Sequence, residues 1–188
     1  MLTFYFYSFL GWIWECCYVG IRERRLVNRG FIHGPFLPLY GSATVIMLLV
    51  GQNLSQNILL LYLASAMGAT VLEYATGVTM EALFKVRYWD YSDRPFNYKG
   101  QICLGATLLW GFFGVLFIRG IHPTVEHFLL YLAGMAQGNV MKALVYLLTI
   151  YFVADFTLSF REAMELRDLL LALEHLQEAV EGKIESTR

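Results

Sequence analysis

Four carboxylates interrupt the apolar stretches of this chain: Glu15, Glu73, Glu81 and Asp155. Counting about 1.5 Å of helix rise per residue from each predicted outer end puts Glu15, Glu73 and Asp155 at a depth of about 20 to 24 Å, in the inner part of a bilayer. An ionised acid there costs about 2.5 to 3.5 kcal/mol on insertion scales, so acids recurring at one depth imply partners, a water-filled cavity, or both. Glu81, nearer the inner surface, can be solvated.

The elements that must position these acids follow from composition. The 188 residues are 57% hydrophobic and 16% aromatic but only 15% charged, far from the soluble average of about 25% charged. Mean hydropathy is +0.52. An all-α, polytopic membrane protein is the expected class, with residues 1–160 as a transmembrane domain and 161–188 as a cytoplasmic amphipathic or coiled-coil helix. Five apolar runs, 2–20, 36–51, 57–84, 101–118 and 139–160, are predicted to span. Residues 121–137 are apolar yet broken by Pro123, Glu126, His127 and Gly134, which predicts an interfacial or re-entrant helix. The first run lacks a basic n-region and ends in Arg22, Arg24 and Arg25, a stop-transfer pattern.

Charge sets the orientation. Of 14 lysines and arginines, all but Arg119 and Lys142 fall in the first loop, the third loop or the tail. With five spans these three segments share one side, which the positive-inside rule makes the cytoplasm. The reading is a multi-pass plasma-membrane protein with its N-terminus outside and its C-terminus inside. A net charge of −1 gives no global field for nucleic acid. Cys16, Cys17 and Cys103, an odd number at cytoplasmic helix ends, are expected as free thiols.

Spacing then says which faces meet. Ser8, Gly11 and Glu15 share one face of the first helix, and Ala66, Ala69, Thr70, Glu73, Gly77 and Glu81 share one face of the third. Small residues permit close helix approach, so the acids project into protein. They serve either as a site or as structural glue, hydrogen-bonded across helices or paired with Arg29. Two cytoplasmic stretches can fold back as lids. The first runs from Asn28-Arg29-Gly30-Phe31 through Gly34-Pro35 to Pro38-Leu39-Tyr40-Gly41, bent by its glycines and prolines. The second runs from Tyr88-Trp89-Asp90-Tyr91-Ser92 through Asn97 to Gly100, where Asp90 and Ser92 suit a side-chain-capped turn.

In sequence order these pieces are Gly11-Trp12-x-x-Glu15, Val27-Asn28-Arg29-Gly30-Phe31-x-x-Gly34-Pro35, Glu73-x-x-Thr76-Gly77-x-x-x-Glu81, Trp89-Asp90-Tyr91-Ser92, Asn97-x-x-Gly100-x-Ile102-Cys103 and Trp110-Gly111. Over about residues 4–160 the combination resembles the bacterial ABC transporter permease family termed CmpB-like or type IV. The Glu, Thr-Gly and Trp-Asp-Tyr-Ser part is also similar to a eukaryotic transmembrane family. The resemblance implies transport. The chain has no Gly-x-x-x-x-Gly-Lys-Ser/Thr phosphate loop, so ATP hydrolysis would fall to a separate ATPase.

Enzyme signatures are poor: there is no His-Glu-x-x-His, Cys-x-x-Cys or Gly-x-Ser-x-Gly element. A metal site from Glu15, Glu73, Asp90 and His33 is conceivable, but a metal-free polar pocket fits the unconnected spacing better. No cofactor is expected. In the tail, Leu166, Leu169, Leu173, Leu176, Val180 and Ile184 form a seam with acids on the other faces, which predicts pairing with a second copy or a partner subunit. The expectation is a permease-like transport component of the bilayer. Its cytoplasm-facing pocket is drawn from Glu15, Asn28, Arg29, Glu73, Thr76, Glu81, Trp89, Asp90, Tyr91 and Asn97, and takes a small polar or cationic ligand. A membrane scaffold or regulatory subunit, and an intramembrane lipid-modifying enzyme, are the alternatives.

Overall fold

A computed structural model describes residues 1–135 and 138–185, without the side chains at positions 52, 182, 184 and 185. Gln137, the Ile184 side chain of the tail seam, and Arg188 thus lie outside the described residues. The chain is nearly all-α. Helix α1 runs Leu2–Glu23 and stops where Arg24 turns left-handed at φ 54°. Helix α2, Pro38–Leu54, begins on a proline, whose missing N–H is tolerated in a first turn. Helix α3, Ile58–Phe84, starts at Asn57, whose side chain accepts the Leu59 and Leu60 amides at 3.1 Å each, satisfying donors that the helix cannot.

Between α3 and the next helix lies a small hairpin. Strands β1 (Asn97–Tyr98) and β2 (Ile102–Cys103) pair antiparallel, Asn97 opposite Cys103. Lys99 at φ 53° and Gly100 at φ 70° make the reversal, the positive-φ pair that tight hairpins need. Gly100 is required twice over, since a Cβ there would also approach Asp90 Oδ1 at 2.5 Å.

Helix α4 (Leu104–Leu116), a π turn (Phe117–Ile121) and helix α5 (His122–Met135) follow without a break. The expected separate interfacial helix over 121–137 is therefore replaced by one helical segment, Leu104–Met135. The reason is Pro123. It has no N–H for the Arg119 carbonyl, and the helix widens just before it, so that the His122 N–H reaches back five residues to Phe117 O. Helix α6 runs uninterrupted from Gly138 to Glu185, 48 residues, straight through the point where membrane domain and tail were expected to meet.

Among the described residues, three helical segments are long and apolar enough to cross a membrane: Ile58–Phe84, Leu104–Met135 and Gly138–Glu181. Helix α2 contributes a shorter apolar stretch, Pro38–Gly51, and α1 has 22 residues but carries Glu15, Arg22 and Glu23. The outward stripe of α3, Leu59, Leu63, Met67 and Val71, is exposed at four-residue spacing, as a lipid-facing surface would be.

Inside, small residues set the helix crossings. Gly11 of α1 lies against the Tyr40 ring and Gly41 of α2 against Ser8 and Phe4. Between α3 and α4, Gly111 faces Tyr62 and Gly114 faces Ser65, and Thr70 donates to Thr107 at 2.8 Å. The core has two parts. Met47, Leu61, Ala69 and Ile118 close α2 and α3 on the π turn. The other centres on the first loop: Ile32, 1% exposed, and Phe36 plug the space beside Tyr5 of α1 and Val145, Leu148 and Phe152 of α6. That loop is a wedge, seated in the protein between the first and last helices.

Candidate functional site

The α1–α2 crossing at Gly11 and Gly41 brings Tyr40 onto the acid of α1, and its hydroxyl donates to Glu15 Oε1 at 2.7 Å. The α3–α4 contact does the same for Glu73, which is 7% exposed. Trp110 Nε1 of α4 donates to Glu73 Oε2 at 3.2 Å, and the hydroxyl of Tyr91, from the loop after α3, donates to Oε1 at 2.9 Å. The rings of Tyr40 and Trp110 meet edge to face, centroids 6.5 Å apart. Tyr91 feels both acids: burial first, then the Glu73 charge and hydrogen bond, then Cys103 and Glu15, hold its phenol above the usual range. Two carboxylates from different helices thus share one cluster of phenol and indole donors. None of the ion pairs among the described residues involves either of them.

Arg29, weighed as their counter-ion, points elsewhere and donates to the Tyr88 carbonyl at 3.1 Å, tying the first loop to the second. Asn28 has a related role: its Oδ1 accepts from Trp12 Nε1 at 2.7 Å and its Nδ2 donates to the His33 carbonyl at 2.8 Å, folding the wedge back on α1.

The loop that carries Tyr91 is braced at several points. Asp90 Oδ1 accepts from the Ser92 hydroxyl at 2.6 Å and the Ser92 amide at 2.9 Å, the capped turn expected from the sequence. The Ser92 hydroxyl, then its amide, then Arg87 hold the Asp90 carboxyl below its ordinary range. Asn97 Nδ2 donates to the carbonyls of Ser92 at 3.1 Å and Arg94 at 2.8 Å. Trp89 Nε1 donates to the Gln101 carbonyl at 2.9 Å. Gly77 of α3 leaves the space that Trp89 and Gln101 fill. Glu81 pairs with Arg87 Nε at 2.7 Å and accepts from Gln101 Nε2. Of the ten expected pocket residues, then, Glu15, Glu73 and Tyr91 form the cluster. Asn28 and Arg29 lie in the first loop, Trp89, Asp90 and Asn97 in the loop that carries Tyr91, and Glu81 on α3 pairs with Arg87 of that loop; Thr76 is half-buried on α3 with no hydrogen bond into the cluster.

Sequence reasoning had assigned no role to Tyr40 or Trp110, although both stood in the stretches singled out, beside Gly41 and Gly111. It also left Asp155 outside the pocket set. Asp155 of α6, 7% exposed, accepts the backbone amides of His33 at 3.2 Å and Gly34 at 2.8 Å, clamping the tip of the wedge. His33 Nδ1 lies 3.2 Å from Asp155 Oδ1 and 2.8 Å from Ser159 Oγ, and its Nε2 lies 2.9 Å from Glu162 Oε2. The Asp155 hydrogen bond first, then the Glu162 charge, raise the imidazole above its ordinary value. His33 therefore serves Asp155 and Glu162, not a common site with Glu15, Glu73 and Asp90. Among the described residues no group of three or more His, Cys, Asp or Glu side chains is arranged to hold a metal ion.

No curated protein and no solved structure matches the chain significantly. Residues 2–160 match the family described as Putative ABC-transporter type IV, and the chain belongs to that family.

Proposed function

We propose that the protein is the membrane component of a transport system. In this reading Glu15, Glu73, Tyr40, Tyr91 and Trp110 bind a small polar or cationic ligand that arrives from the cytoplasm. The observation that carries it is the pairing of two carboxylates with aromatic donors and, among the described residues, with no base. Each acid in hydrocarbon costs about 2.5 to 3.5 kcal/mol, and phenol and indole hydrogen bonds leave the charge itself uncompensated. A proton or a bound cation supplies the compensation. Aromatic faces beside carboxylates suit an ammonium group, which gains cation–π attraction from Trp and Tyr. The loops braced by Arg29, Asp90, Asn97 and the Glu81–Arg87 pair cover this cluster and set ligand access, and Glu81 and Asp90 add negative charge along the entry. With no phosphate loop in this chain, a separate ATPase or a proton gradient supplies the energy.

The test is titration of the detergent-solubilised protein with methylammonium through tetramethylammonium chloride, with sodium chloride as control, read by tryptophan fluorescence. A saturable change is expected, weakened at least about tenfold in Glu73→Gln and Trp110→Phe, while the Glu73→Gln melting temperature stays near that of the parent. Absence of saturation for every ammonium ion, or an unaltered response in Glu73→Gln, would remove the cluster as a cation site and favour the scaffold reading.

The same reading places five crossings in a bacterial plasma membrane: α1, α2, α3, the α4–α5 segment and the first part of α6. The amino end is outside and the tail is cytoplasmic. It rests on the concentration of bases in the first loop, the loop after α3 and the tail. An impermeant thiol reagent applied to intact cells should label Ser55→Cys, in the α2–α3 turn, and spare Asp93→Cys. Labelling in the reverse pattern would invert the topology.

A further inference from the structure

The tail of α6 presents an apolar stripe that no other described segment of the chain covers. Leu166, Leu169, Leu173, Leu176 and Val180 are 53–62% exposed, at the 3-4-3-4 spacing of a two-stranded seam. Since α6 has no break near residue 160, the tail continues the line of the last span and stands away from the bilayer, so the stripe does not lie on lipid headgroups. At its root, Arg167 Nη1 reaches the last turn of α3 at the Leu83 carbonyl, 3.5 Å away, and fixes where the tail leaves the helical body.

We propose that the occupant of this stripe is a second copy of the same chain, in a parallel two-stranded coiled coil. Two features select it. Copies inserted the same way send their tails out on the same side, so the tails run parallel and each residue meets its own counterpart across the seam, which closes as a symmetric pair. Self-pairing of that kind fails when flanking positions bear like charges, because the e and g positions of parallel strands face each other. Here those positions hold Ala172, Ala179, Leu170 and Gln177, with Glu165 the one charged residue. Between residues 165 and 181 the other acids, Asp168, Glu174, Glu178 and Glu181, fall on the outer positions. A basic partner would find no acidic flank along the seam to read, whereas an identical neutral flank meets no repulsion. The proposal rests on the membrane placement but not on the cation site.

Two measurements on the full chain test it. With Cys16, Cys17 and Cys103 replaced by serine, Leu173→Cys and Leu176→Cys should each yield a covalent dimer when native membranes are oxidised with copper phenanthroline. Glu174→Cys and Glu178→Cys should yield at least several-fold less. Equal cross-linking at all four positions, none at any, or products with a different polypeptide would overturn the pairing. In detergent, sedimentation of the unaltered chain should report a dimer, and Leu169→Lys with Leu176→Lys should raise its dissociation constant by about 100-fold or more. A monomeric parent, or an unchanged mass in the double variant, would sink the proposal even if the cysteine variants failed to fold.

Discussion

Asp155→Ala is expected to lower the unfolding free energy by about 2–6 kcal/mol, the cost of leaving two backbone amides without their acceptor. The carboxylate caps the His33 and Gly34 amides. Without it two backbone donors at the tip of the wedge lose their partner, at about 1–3 kcal/mol each. The wedge carries Ile32 and Phe36 into the core, so the loss spreads to apolar packing. Asp155→Asn keeps one acceptor oxygen and should fall between the two. Denaturant or thermal unfolding in a mild detergent measures this, and a variant that melts with the parent would show that the wedge is held by its apolar plug alone. The clamp also predicts a pH dependence. Because the folded-state pKa of His33 is raised, its contribution is fully present below the ordinary histidine value and is lost as pH rises through the raised one. Melting temperature should thus fall as pH rises above the ordinary histidine value, and His33→Gln should flatten that fall.

The second large effect is at a position with no polar atom to lose. A Cβ on Gly41 would sit 2.7 Å from both the Phe4 ring and the Phe4 backbone oxygen. A ring can turn, but a backbone carbonyl inside α1 cannot, so Gly41→Leu must push α1 and α2 apart. Overpacking of this kind costs about 1–3 kcal/mol. It should also break the neighbouring Tyr40–Glu15 hydrogen bond and weaken ammonium binding, although neither residue is altered. Gly105→Ala, with nothing within 4 Å of its added Cβ, is the matched control and should leave both stability and binding unchanged or slightly improved. If Gly41→Leu behaved like the control, helix approach would not be what positions Glu15.

The two acid-bearing faces were legible in the sequence because periodicity is local. Ser8, Gly11 and Glu15 lie on one side of α1 whatever that side meets, and the run from Ala66 to Glu81 behaves likewise on α3. What the acids meet was not legible. The Tyr40, Tyr91 and Trp110 donors stand 25, 18 and 37 residues from their carboxylates, and His33 stands 122 residues from Asp155. No spacing rule connects groups at such separations, since only the packed helices decide which face opposes which. Arg29 shows the converse: charge made it a plausible partner for an acid, yet the bend of its loop delivers it to a carbonyl. The π turn was hidden for a different reason. Pro123 reads as a helix breaker, and the widened turn that accommodates it, with its i to i−5 bond, leaves no mark in composition. The Asp90 turn and the Asn57 cap were readable or nearly so, because each is closed within three residues.

The unbroken course of α6 makes it a stiff rod. At about 1.5 Å per residue its 48 residues reach about 72 Å. Asp155 sits in the first half of that length, at the point where the rod is pinned to the wedge, so the remaining 30 residues act as the long arm of a lever with the His33 clamp at its fulcrum. A tilt of about 5° displaces the far end by about 4 Å, given that arm's length of about 45 Å. The same tilt, transmitted without slack through a hydrogen-bonded helix, turns directly on the amides of His33 and Gly34, which are joined through Asn28 to Trp12 and through Arg29 to the loop that holds Tyr91 on Glu73. Load applied at the far end of α6 would bear, through these hydrogen bonds, on the loop that carries Tyr91.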